Sequence, residues 1–139
     1  MNANLVDVLI VEDNPDDAEL TIRELKKHTK AAKFFHVRDG EEAIQFIFGT
    51  GKYESKRDTS SPPGIVLLDI KMPKMDGIEF LKEMNQKYGE GKTPVLITSN
   101  VSSLDKISEG VSLGVHGYFV KSNESLEGIT GIIETVFKK

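Results

Sequence analysis

The chain has 139 residues, a length that suits one domain and lets roughly two-thirds of the unfolded surface be buried. Hydrophobic residues at 38% and charged residues at 29% argue against wholesale disorder, and a net charge of -4 leaves no excess of Lys and Arg for direct nucleic-acid binding. The absence of cysteine excludes disulfides, thiolate catalysis and cysteine-based zinc sites and fits the cytoplasm; no apolar run approaches the ~20 residues that span a bilayer, and MNANLVDVLIVED, without a basic start, does not read as a signal peptide.

Short apolar runs alternate with helical periods. Val8-Leu9-Ile10-Val11 reads as a fully buried strand that runs into Glu12 and Asp13. Asn14-Pro15 then opens a helix with Ala18, Ile22 and Leu25 on one face, and Lys26, Lys27 and His28 suit its negative end. Phe34-Phe35-His36-Val37 is the second strand, its Phe pair assigned to the core. After Asp39-Gly40, residues Ala43, Ile44, Ile47 and Phe48 follow helical spacing. The polar stretch from Gly49 to Gly64 reads as a surface loop. Ile65-Val66-Leu67-Leu68 is the third strand and ends at Asp69. The loop IKMPKMDG leads to a helix with Ile78, Leu81, Met84 and Tyr88 inward. Pro94 to Thr98 is the fourth strand, ending in Ser99-Asn100. Leu104, Ile107 and Val111 mark a weaker helix, Gly117 to Val120 a fifth strand ending at Lys121, and Leu126 to Phe137 a last helix.

Five strands alternating with five helices pair in parallel through right-handed crossovers, so the fold class is α/β with helices on both faces of a parallel sheet. In such sheets the functional crevice lies outside the carboxyl ends of the strands. There the sequence collects Glu12, Asp13, Asp69, Ser99 and Lys121. A lone Asp at a strand end serves as often to cap a helix; the combination is more specific. Three carboxylates brought together repel one another, and a hard divalent cation such as Mg²⁺, which takes oxygen ligands and keeps waters, relieves the repulsion. An ammonium and a hydroxyl facing the same cation make a device for holding a phosphoryl group. Asp69, alone at the end of a central strand, is the best nucleophile candidate, with Glu12 and Asp13 holding the metal.

VLIVEDN, LLDIKMPKMDG, PVLITS and GYFVK, in this order and spacing, resemble the response-regulator receiver domain of two-component signalling, over about Asp7 to Phe137. The resemblance implies a flavodoxin-like fold with strand order 2-1-3-4-5. It implies that Asp69 is the phosphoacceptor, that Asp13, with Glu12 beside it, binds Mg²⁺, and that the backbone carbonyl of Lys71 completes the protein's share of the shell. Lys121 would contact the phosphoryl oxygens, Ser99 would be the switch hydroxyl, and Tyr118 the aromatic that swings into the space Ser99 vacates. Pro73 and Gly77 would shape the loop after Asp69. Ser122 stands where the family usually carries proline, and Asn100 where a smaller residue is usual. The polar insertion before the third strand and a chain ending at the fifth helix, with no output domain, resemble stand-alone regulators paired with phytochrome-like histidine kinases.

The implied activity is acceptance of a phosphoryl group from a sensor histidine kinase or phosphotransfer protein, with no separate substrate turned over. The chain would catalyse only its own phosphorylation and dephosphorylation. The fourth helix, fifth strand and fifth helix would then recruit a downstream protein or form a homodimer; neither nucleic acid nor a membrane is an expected partner. Three other readings are weighed against this one. A flavodoxin would need a phosphate cradle where EDNPDD is acidic. A haloacid-dehalogenase-like phosphatase would want a second Asp where Lys71 stands. A phosphorylation-independent adaptor of the same fold is the main alternative. His28, His36 and His116 are scattered and fit no common zinc spacing.

Overall fold

The computed structural model describes residues 6–27, 32–54, 63–70, 76–99 and 104–120. Its central layer is a five-stranded parallel sheet of β1 (Val6–Val11), β2 (Ala32–Val37), β3 (Ile65–Asp69), β4 (Val95–Ser99) and β5 (Gly117–Val120), in the order β2-β1-β3-β4-β5. All five residues of β3 are buried, as a strand covered on both faces requires.

Between the strands run α1 (Pro15–Lys26), α2 (Gly40–Phe48), α3 (Gly77–Tyr88) and α4 (Leu104–Ser112). Alternation along the strands divides the core. Val8 and Ile10 of β1 and Ile65 and Leu67 of β3 face Ala18 and Leu25 of α1. Leu9, Val11, Val66 and Leu68 face the opposite way, onto Ala43, Phe46 and Ile47 of α2 and Phe80, Leu81 and Met84 of α3. The Phe34-Phe35 pair is split by the same alternation, one ring packing on each face. Ile97 meets Ile78 of α3 and Ile107 of α4. The result is the flavodoxin-like three-layer arrangement expected from the sequence; the anticipated fifth helix lies outside the described residues.

The helix starts are chemically marked. Asn14 Oδ1 accepts from the N–H groups of Asp16 (2.9 Å) and Asp17 (3.2 Å), with Pro15 at the first helical position. Asp76 and Glu79 form a reciprocal capping box on α3. Asp39 caps α2, which ends on Gly49 in the left-handed region at φ 69°.

The helix marked by Leu104, Ile107 and Val111 is present as α4, with Ile107 buried, but Val111 is not: it is 54% exposed, and the position that approaches the sheet is Gly110, where an added Cβ would lie 2.4 Å from Ile97 Cδ1. The missing side chain at Gly110 leaves room for Ile97 of β4 against α4. The polar stretch after Gly49 is not all loop either. Gly51–Tyr53 is a turn of 3₁₀ helix, and Tyr53 packs edge-on against Phe46 at 5.2 Å between ring centroids.

Candidate functional site

The parallel order puts the carboxyl ends of β1 and β3 side by side, with Val11 in register with Leu68. Glu12, Asp13 and Asp69 follow directly, and each offers a carboxylate oxygen within 4.8 Å of the others. Glu12 and Asp69 are buried and Asp13 is exposed, so the cluster opens to solvent on the Asp13 side. Oxygen donors at this separation suit a hard divalent cation, which brings opposite charge to a place where like charges crowd.

The backbone fixes this cluster from several directions. Glu12 N–H donates to Val37 O at 3.0 Å, carrying the β1–β2 ladder one residue past the strand. Its carboxylate accepts from Asn14 N–H at 3.2 Å, which turns the chain into α1. The Glu12 carbonyl accepts from His36 Nε2 at 2.7 Å; because a carbonyl only accepts, the ring proton sits on Nε2. Sequence reading gave His36 no role, since it appears there only as a polar residue near a strand end.

Behind Asp69 the constraint is steric. Gly77 N–H donates to Ile70 O at 2.9 Å. A Cβ at Gly77 would lie 2.8 Å from both Asp69 O and Ile70 Cα, so only glycine lets α3 begin this close to the end of β3.

Of the other expected site residues, Ser99 ends β4, its backbone in register with Val120 of β5. Tyr118, in register with Ile97, is half-exposed on β5. Lys71 and Lys121, with Asn100 and Ser122, lie outside the described residues, as does the side chain of Ser99.

A second polar cluster joins α2 to the 3₁₀ turn. Glu42 accepts from Arg38 N–H at 2.9 Å and from Tyr53 Oη at 3.1 Å, and pairs with Lys52. Burial works to raise the Glu42 carboxyl, but the Lys52, Arg38 and Tyr53 hydrogen bonds and the Lys52 charge outweigh it and hold it below its ordinary value. The Tyr53 hydroxyl is pushed up to about 12 by burial, by the Glu42 charge and by the hydrogen bond it gives to Glu42.

Compared with protein families, residues 8–133 match the response regulator receiver domain. The chain belongs to the response-regulator receiver family. Response regulator Rcp1 of Synechocystis sp. is 33% identical over 115 residues, covering 83% of this chain and 76% of that protein. The phosphorylated cyanobacterial phytochrome response regulator RcpA superposes with a TM-score of 0.82 at 29% identity, covering 96% of this chain and 94% of its own. The Mn²⁺-bound form of Rcp1 superposes at 0.81 with 28% identity, covering 96% of each chain. The receiver is thus part of two-component signalling, which implies a histidine kinase or other phosphodonor as partner. Among the described residues no helix is long and apolar enough to cross a membrane.

Proposed function

We propose that this receiver accepts a phosphoryl group on Asp69 from a phosphohistidine of a sensor kinase or phosphotransfer protein and thereby switches a protein-interaction surface. The observation that carries the reading is the meeting of Glu12, Asp13 and Asp69 within 4.8 Å at the carboxyl ends of two adjacent strands. Glu12, Asp13, Asp69 and the backbone carbonyl of Lys71 would hold Mg²⁺, which supplies positive charge beside the transferring group. That Mn²⁺ binds the similar Rcp1 supports a divalent ion here.

In the transfer a carboxylate oxygen of Asp69 attacks phosphorus. The new P–O bond forms as the P–N bond to the donor imidazole breaks, and the imidazole leaves with the electron pair. Lys121 neutralises charge on the equatorial oxygens. Ser99 then turns its hydroxyl to the phosphoryl group, and Tyr118 leaves its half-exposed position for a buried one. The altered face around α4 and β5 takes a downstream protein or a second copy of the chain. That RcpA and Rcp1 are among the similar structures supports a phytochrome-type kinase as the donor.

Intact mass after incubation with a small phosphodonor tests this reading. Wild type gains one phosphoryl mass only when Mg²⁺ is present, and Asp69→Asn gains none. Equal labelling of Asp69→Asn would remove Asp69 as the acceptor.

A further inference from the structure

We infer that His36 is a positioning residue for the acidic site: by donating from Nε2 to the Glu12 carbonyl it fixes the peptide that carries the Glu12 and Asp13 carboxylates, and so sets the affinity for the divalent ion. The inference rests on the metal reading above and adds to it a residue outside the ligand set.

The geometry is specific. His36 is in register with Ile10 on the neighbouring strand, and its ring reaches forward along the sheet to a carbonyl two residues beyond that partner, at 2.7 Å. The same peptide segment is held by the Val37 carbonyl at the Glu12 N–H, 3.0 Å away. Glu12 is therefore gripped by β2 through both of its backbone polar groups, one by a backbone and one by a side chain. Asp13 follows immediately and is exposed, so little packing orients it. Like-charge repulsion among the three carboxylates pushes this segment away from Asp69. A fixed Glu12 carbonyl resists that displacement and presents the ligands in place before the cation arrives, which lowers the ordering cost of binding.

The reach of the donor discriminates this role from simple packing. A glutamine places its amide nitrogen about where Nε2 of histidine lies; asparagine places it one bond short, and leucine offers none. Mn²⁺ binding to the full chain, followed by electron paramagnetic resonance of the free ion, reads the difference, with thermal melting in metal-free buffer as the control. His36→Gln is expected to bind like wild type. His36→Leu and His36→Asn are expected to weaken binding by about tenfold, in the range found when groups supporting metal ligands are removed, without melting in proportion to that loss. Wild-type affinity in both His36→Leu and His36→Asn would overturn the inference. So would equal weakening in all three variants, which would mark a packing role. If wild type itself takes up no Mn²⁺, the metal reading fails and this one with it. Should His36→Leu not fold, the contrast between His36→Gln and His36→Asn decides.

Discussion

Around Glu42 a single carboxylate is met by a lysine, a tyrosine hydroxyl and a backbone N–H, all from its own chain. At the ends of β1 and β3 three carboxylates are brought within 4.8 Å of one another instead. The first arrangement satisfies its charge and ties the 3₁₀ turn to α2; it is a strut. The second concentrates like charge where the backbone on every side is fixed: by β2 at Glu12, by the start of α1 at Asn14, and by the close approach of Gly77 at Asp69. Such crowding works against stability, and on the function proposed above these carboxylates are ligand positions for a cation. On that reading one region stabilises and the other binds, and substitutions in the two should separate the properties.

The largest expected effect lies in the strut. Phe46 is fully buried between Phe35, at 4.9 Å between centroids, and Tyr53. Phe46→Ala should cost about 3–5 kcal/mol of stability in denaturant unfolding, while the folded variant keeps wild-type affinity for Mg²⁺. A matching loss of metal affinity would show that the regions are coupled. Gly77→Ala sharpens the contrast from the other side. Its Cβ meets backbone rather than a movable side chain, so we expect about 1–3 kcal/mol of destabilisation together with weaker Mg²⁺ binding, because Asp69 is the group displaced. Unchanged metal affinity would mean that α3 yields instead of β3.

Glu42→Gln should cost about 1 kcal/mol at neutral pH, since the charge-assisted bonds become neutral ones. The sign of its pH dependence follows from the lowered carboxyl. Glu42 adds stability in full above its ordinary value of 4.5, and this contribution is lost as pH falls through the lower folded value. The gap between wild type and Glu42→Gln should therefore close on acidification; a gap that is flat with pH would remove the charge from the explanation. Tyr53→Phe should cost a similar amount, about 0.5–1.5 kcal/mol for one hydrogen bond. Its spectroscopic signature is clear: the absorbance difference between wild type and Tyr53→Phe should show a phenol that ionises near 12 rather than its ordinary 10.0. The stability Tyr53 contributes is full below 10.0 and is lost as pH rises through about 12.

Much of the sheet was legible because its strands are buried on both faces, which leaves short unbroken apolar runs with little else to be. Strand order came from the resemblance and not from periodicity. The crowding of Glu12, Asp13 and Asp69 was legible once strand ends were taken as neighbours, since parallel topology does the gathering. What escaped has physical causes. Val111 fits a helical stripe as well as Ile107 does, but the stripe cannot say that a glycine one position earlier takes the place against β4. Tyr53 sits in a run of polar and charged residues, so its apolar contact with Phe46 leaves no pattern in the chain. The bond from His36 to the Glu12 carbonyl joins positions far apart in sequence through one ring nitrogen, and composition carries no trace of it. The expected parts of Lys71, Lys121 and the Ser99 hydroxyl fall outside the described residues and stand as proposals.

The claim that the crowded carboxylates are a cation site is tested most directly by the melting temperature of wild type and Asp13→Asn, each with and without Mg²⁺. Asp13 is exposed, so the substitution removes charge without opening a cavity. The account predicts that Mg²⁺ raises the melting temperature of wild type. It predicts that Asp13→Asn melts higher than wild type in metal-free buffer and responds little to Mg²⁺. A metal-free Asp13→Asn that melts below wild type, or one that keeps the full Mg²⁺ response, would contradict it.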